Sequence, residues 1–212
     1  MWTEQKYKDL SIKEFTKAAE VYDSGHAGLY EMCKDDYPPV LQELKNYAFQ
    51  ELLDVGCGTG PMIELLLKEF PDKEYTGVDL TPRMIEVAQE KKLAHTKFLI
   101  GDSENLPFEE DSFDVIVCTN SFHHYPKPQA FMNEAARVLK AGGKLVLRDY
   151  TSNAFFVWLM NHIEMPLVHL CGHGDVRIHS CQEVREMCKK AGLKVQKLEM
   201  QKGFRLHLVA EK

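Results

Sequence analysis

The stretch Leu52-Leu53-Asp54-Val55-Gly56-Cys57-Gly58-Thr59-Gly60-Pro61 decides the fold. An apolar run leads into three alternating glycines, and a proline stands where a helix begins. Glycine permits the tight turn and lets a ligand come close to the backbone. Proline suits the first helical position, and the free N–H groups there suit an anionic group. A strand, a glycine turn and a helix in that order predict a parallel α/β sheet. Taken alone, the same residues also describe an ordinary strand-to-helix turn.

Outward from this stretch the chain alternates short apolar runs with helical patterns, with no repeat or linker. Strands are expected at 51–55, 74–78, 96–100, 113–119, 144–149, 193–201 and 204–210. Runs such as LLDV and VIVC suit central strands buried on both faces. Helices are expected at 61–70, at 82–93 behind Thr81 as N-cap, at 128–139 stopped by Gly142-Gly143, and at 180–191. In the last of these, Ser180 and Glu183 have capping-box spacing and Gly192 is the stop. Only Lys202-Gly203 joins the last two strands, which predicts an antiparallel hairpin. The expectation is a Rossmann-like, seven-stranded, mostly parallel sheet with one antiparallel strand and helices on both faces. The 212 residues make one domain. A helical segment over 1–50 and an insertion over 150–179 fall outside the rhythm and are expected to act as lids.

Two acids follow the glycine turn at strand ends. Asp79 closes Tyr75-Thr76-Gly77-Val78-Asp79-Leu80, where a carboxylate can accept both ribose hydroxyls of an adenosine. Leu80 offers an apolar face to the adenine. Asp102, in Gly101-Asp102-Ser103-Glu104, is placed to accept from an adenine amino group, with Ser103 offering a backbone N–H.

The order DVGCGTG, VDL, GDSENLPF, FDVIVCTNSFHHYP and RVLKAGGKLVLRDY resembles class I S-adenosylmethionine-dependent methyltransferases, nearest the small-molecule group related to ubiquinone and menaquinone biosynthesis. The resemblance implies S-adenosylmethionine as cofactor and S-adenosylhomocysteine as product. It places the turn Asp54, Gly56, Cys57, Gly58 and Gly60 beside the methionine part, with Asp54 reaching its ammonium directly or through water. It gives Asp79 the ribose, Leu80 and Met84 the adenine faces, Asp102 the adenine amino group, and Thr119, Asn120 and Ser121 the rest of the methionine pocket. A dehydrogenase would instead show G-x-G-x-x-G; here the third glycine comes one residue early and Pro61 follows.

Such a cofactor brings an activated methyl group, so the protein's task is to position a nucleophile and exclude water. His123 and His124 are the candidate catalytic bases, each with the alternative of only shaping the pocket. The place held by Asn-Pro-Pro-Tyr in amine-directed relatives reads Asn120-Ser121-Phe122-His123, which argues against nucleobase or protein-glutamine acceptors. Phe155 and Trp158 in the insertion either cap an apolar acceptor or pack on the sheet edge. Tyr22, His26 and Tyr30 are candidates for the other side of the pocket.

No metal is expected. His169, Cys171, His173, His179 and Cys181 are suitable types but match no ligand spacing. A net charge of −6 gives no electrostatic reason to bind nucleic acid. The charged N-terminus lacks a secretory h-region, and the apolar run 154–171 carries Asn161, His162, Glu164 and Pro166, so neither a signal peptide nor a membrane span is expected. A cytoplasmic enzyme with six free thiols and a small-molecule acceptor is the resulting expectation, its oligomeric state open. A non-catalytic cofactor-binding subunit and a nucleotide-cofactor oxidoreductase are the competing readings.

Overall fold

The computed structural model describes residues 3–22, 33–165, 167 and 174–212. Seven strands form one sheet: β1 (Glu51–Val55), β2 (Glu74–Asp79), β3 (Thr96–Ile100), β4 (Phe113–Thr119), β5 (Leu139–Tyr150), β6 (Lys194–Gln201) and β7 (Arg205–Glu211). Their order is β3-β2-β1-β4-β5-β7-β6, with β7 antiparallel to both its neighbours and the other pairs parallel. The expected architecture is therefore the observed one.

The helices are α1 (Glu4–Ala18), α2 (Tyr37–Leu44), α3 (Pro61–Glu69), α4 (Pro82–Glu90), α5 (Pro128–Val138), α6 (Ala154–Leu159) and α7 (Cys181–Lys190). Successive strand residues point to opposite faces, so the apolar runs feed two cores. Leu52, Val115, Val117 and Val146 pack under α2, α3 and α4 with Val40, Met62, Ile63 and Ile85. Leu53, Ile116, Cys118, Leu145 and Leu147 pack under α5 and α7 with Phe131, Met132, Val184 and Cys188. The capping box of Ser180 and Glu183 is present. At the far end Gly192, at φ +78°, lets Leu193 N–H reach the Cys188 carbonyl.

Three local expectations are corrected. Gly142-Gly143 does not stop a helix: α5 ends at Val138, Leu139 is already extended, and the glycines lie within β5. Phe204 is not in β7. It stands in the left-handed region at φ +57° and lengthens the hairpin turn to three residues. Thr81 occupies the cap position of α4 without capping, because its hydroxyl is drawn to Asp79.

A buried ion pair joins the N-terminal part to the sheet. Asp36, in a 3-10 turn before α2, accepts from Arg148 Nε of β5 at 2.7 Å and from Arg205 Nε of β7 at 3.1 Å. Among the described residues no helix is long and apolar enough to cross a membrane, and Cys33, Cys57, Cys118, Cys181 and Cys188 are free thiols. Cys171 lies outside the described residues. Asp36→Ala would leave the Arg148 guanidinium buried without its carboxylate, so urea unfolding should show a loss of about 3 kcal/mol or more.

Candidate active site

Strand order reverses between β1 and β4, and the site opens beyond their carboxyl ends, as open α/β sheets require. The cleft encloses about 890 Å³ with its mouth included. Asp54, Gly56, Cys57 and Gly58 form its floor, Asp79, Leu80 and Met84 one wall, and Asp102 and Ser103 the end. Thr119, Asn120 and Ser121 close the β4 side. Of the residues expected to hold the cofactor, only Gly60 is outside the cleft wall. Its φ of +86° and the Phe98 ring, 2.7 Å from where a Cβ would lie, make it a packing glycine.

The floor is held by backbone. Gly56 and Cys57 N–H groups both donate to the Val78 carbonyl, at 2.8 and 3.1 Å, which ties the turn to β2. A Cβ on Gly56 would stand 1.9 Å from Ser121 Oγ, so the loop and the end of β4 touch only because that residue is glycine. Asp79 accepts from Gly58 N–H at 3.0 Å and Thr81 N–H at 2.8 Å. Burial raises its pKa, and those two N–H groups offset part of the rise.

Asp54 is different. It is 1% exposed, and neither carboxylate oxygen has a hydrogen-bond partner. Burial, with the nearby Asp79 charge, pushes its pKa up to about 8. Asn120 has a similar vacancy in its bonding: at φ +50°, its side-chain oxygen and nitrogen are both buried without a partner. Unpaired buried polar groups are costly, and strained, unsatisfied residues collect at functional sites.

Sequence reasoning expected the 1–50 segment over the site but named no residue of α1. Lys8, Ser11 and Phe15 line the cleft, spaced three and four apart as one helical face requires. That spacing was the available signal. Lys8 Nζ lies 2.6 Å from Asp102 Oδ2 and 2.6 Å from Glu104 Oε2, while Asp102 Oδ1 accepts from Glu104 N–H at 2.9 Å. The acid expected to meet an adenine is thus already engaged by a lysine.

The two histidines separate. His124 lines the cleft, and His123 stands behind it with ring centroids 4.0 Å apart. His123 Nδ1 is 2.7 Å from Asp149 Oδ1, and its backbone N–H donates to Asp149 Oδ2 at 3.1 Å. Although burial lowers the His123 pKa, the Asp149 charge and hydrogen bond raise it to about 10. Burial and the adjacent His123 cation push His124 down to about 4. Asp175, which the sequence did not suggest, lies 3.4 Å from His123 Nε2 and 3.4 Å from His124 Nδ1.

Tyr22 lines the cleft, as do Tyr37 and Tyr125, which were not anticipated. His26 and Tyr30 lie outside the described residues. Phe155 and Trp158 are 65% and 53% exposed and take no part in the cleft wall; Trp158 stacks on His162 instead. Of the five residues weighed as metal ligands, His169, Cys171 and His173 lie outside the described residues. His179 is buried against Phe122. Among the described residues, the donor atoms that do come together, within 4.8 Å, belong to His123, His124 and Asp175.

This fold, with a glycine turn and strand-end acids around one cleft, defines the Rossmann-like methyltransferase class. Residues 53–147 match the methyltransferase domain family. The chain is 34% identical over 145 residues to a demethylmenaquinone methyltransferase of Thermotoga maritima, covering 68% of this chain and 63% of that one. It is 38% identical over 127 residues to a phthiotriol/phenolphthiotriol dimycocerosates methyltransferase of Mycobacterium leprae, covering 59% and 47%. It thus spans about half to two thirds of the length of these relatives. A chain from the solved complex of the Haloferax volcanii Trm112 methyltransferase activator with a methyltransferase superposes with a TM-score of 0.77 at 22% identity, covering 93% of this chain and 97% of that one. Residues 53–147 thus match a methyltransferase domain, and the chain is similar to class I, S-adenosylmethionine-dependent methyltransferases.

An acid whose folded pKa is raised from about 3.9 to about 8 keeps a proton that the unfolded chain has released. Its burial therefore removes stability progressively between these two values and removes no more above the upper one. Asp54→Asn should raise Tm by an amount that grows from pH 5 to pH 8 and then levels off. A difference independent of pH would mean that Asp54 is ionised in the folded protein.

Proposed function

We propose that this protein binds S-adenosylmethionine in the cleft and transfers its methyl group to a small organic acceptor, releasing S-adenosylhomocysteine. The observation that carries this reading is the unpartnered, buried Asp54 carboxylate under the glycine turn, with Asp79 at the next strand end. A cationic amino group is the partner that such a carboxylate lacks. Asp79 has lone pairs left for ribose hydroxyls, and Leu80 and Met84 offer apolar faces to a base. Asp102 is available to the adenine amino group once Lys8 yields one oxygen. Asn120, with Thr119 and Ser121, offers both a donor and an acceptor to the methionine end.

The cofactor, when bound, supplies a methyl group already activated on a sulfonium. The chain's own work is to orient the acceptor, keep water out and take its proton. Phe15, Tyr22, Tyr37 and Tyr125 give the acceptor side an aromatic lining, in keeping with the organic acceptors for which the relatives are named. His124 is the histidine in contact with this space and is neutral at pH 7, as a base must be. His123, held between carboxylates, is the cation beside it and keeps the resting His124 ring unprotonated. We place the protein in the cytoplasm, in keeping with five unpaired thiols, acting without a metal or nucleic acid.

Titration calorimetry should show S-adenosylmethionine binding to the full chain, weakened at least about tenfold by Asp79→Ala, since a hydrogen bond to a charged group contributes about 1.5–3 kcal/mol. Methyl-labelled cofactor, offered with a panel of phenols, quinols and other small hydroxyl compounds, should yield a labelled product. Turnover should fall about a hundredfold in His124→Ala with cofactor affinity retained. Binding of a nicotinamide dinucleotide in its place would support the oxidoreductase reading. Cofactor binding with no transfer to any acceptor class would support a regulatory subunit.

A further inference from the structure

We propose that Asp175 is a positioning residue for His124, and that α1 and the end of the insertion assemble this pair together over an acceptor that must lose a proton. The inference rests on the reading that the acceptor lies in the cleft beside His124. The observation behind it is the chain of groups Asp149, His123, Asp175 and His124.

His123 faces a carboxylate from each ring nitrogen, Asp149 at 2.7 Å and Asp175 at 3.4 Å, and so stands as the cation between two anions. The same Asp175 oxygen is 3.4 Å from His124 Nδ1, which is buried and makes no hydrogen bond. A small ring rotation closes that gap. A neutral imidazole carries one N–H and one lone pair. A carboxylate beside Nδ1 draws the N–H there and leaves the lone pair on Nε2, the nitrogen on the side away from Asp175. Among the described residues, Glu14 of α1 brings a further charge across Gly174, whose backbone also meets the His124 ring.

Asp175 reaches this place through its neighbours. Val176 and Arg177 N–H groups donate to the His123 carbonyl at 2.9 and 3.1 Å. Gly174 N–H donates to Glu14 Oε2 at 2.7 Å, and a Cβ on Gly174 would stand 2.6 Å from Ser11 Cα. The α1 helix also sets the Phe15 ring edge-on to His124, with centroids 5.0 Å apart. The base is thus complete only when both segments are docked.

In the reaction, the acceptor's O–H proton passes to His124 Nε2 and the oxygen's electron pair forms the new bond to the methyl carbon. The pair of the breaking carbon–sulfur bond stays on sulfur, which becomes a neutral thioether. The imidazolium, held by Asp175, then returns its proton to water. The acceptor class is therefore a hydroxyl, or an equally acidic group, rather than an amine that attacks through a free lone pair.

Long-range proton–nitrogen spectra of the ¹⁵N-labelled full chain at pH 7 read the ring protonation directly and need no acceptor. We expect His124 neutral with its proton on Nδ1, and His123 protonated on both nitrogens. Asp175→Ala should lose the Nδ1–H form of His124, and Gly174→Ala, which leaves every ring and carboxylate intact, should do the same. A wild-type His124 protonated on Nε2 overturns the proposal whether or not either variant folds. So does an unchanged tautomer in a folded Asp175→Ala. One equivalent of zinc that survives gel filtration and shifts both rings would instead make the three donors a metal site. Calorimetry on the same sample keeps the questions apart: failure to bind S-adenosylmethionine counts against the proposed function and leaves the tautomer result standing.

Discussion

The structure depends on a carboxylate at the end of a central strand that nothing in the protein satisfies. Asp54 sits where β1 gives way to the glycine turn, buried with neither carboxylate oxygen hydrogen-bonded. The turn's own donors go to Val78 and Asp79. Leaving the acid unpaired forces it toward the protonated form and costs stability. A fold tolerates such a cost where a ligand removes it, and under the proposed function that ligand is a cation small enough to enter beside the glycines. The Gly56–Ser121 contact then sets how closely the turn and β4 approach, and with them the shape of the cleft above Asp54.

The second organising feature is the convergence of two segments outside the sheet on the mouth of the cleft. The α1 helix brings Lys8 to Asp102 and Glu104 at one end and Phe15 to His124 at the other. The end of the insertion brings Asp175 to the histidines, locked by Asn161, whose side chain pairs with the backbone of Ile178 at 2.8 and 2.9 Å. The cleft therefore has a floor determined by local turns and a roof determined by long-range contacts.

That division explains what was legible in the sequence. The glycine turn, Asp79, the strand series and the Ser180 capping box are local patterns, and all are in place. Gly142-Gly143 misled because a glycine pair at a helix end looks the same as one inside a strand whose partner tolerates a kink. Phe204 misled because β-propensity outweighed the left-handed turn residue it became. At Phe155 and Trp158, both exposed, an aromatic run of a few residues does not say which way a short helix faces. Lys8 and Phe15 carry one signal, their helical spacing with Ser11 on a single face. Asp175 left no signal at all: an aspartate in HGDVRIH becomes part of the site only because the insertion returns past β4.

The most direct measurement of the central claim is proton release on cofactor binding, by calorimetry at pH 7 in buffers of different ionisation enthalpy. With a pKa of about 8 in the free protein, Asp54 is mostly protonated there. Pairing with a cationic amino group should make it ionise, so binding should release close to about one proton, and Asp54→Asn should release none. Binding of S-adenosylmethionine with no proton exchange in the wild-type protein would contradict the account.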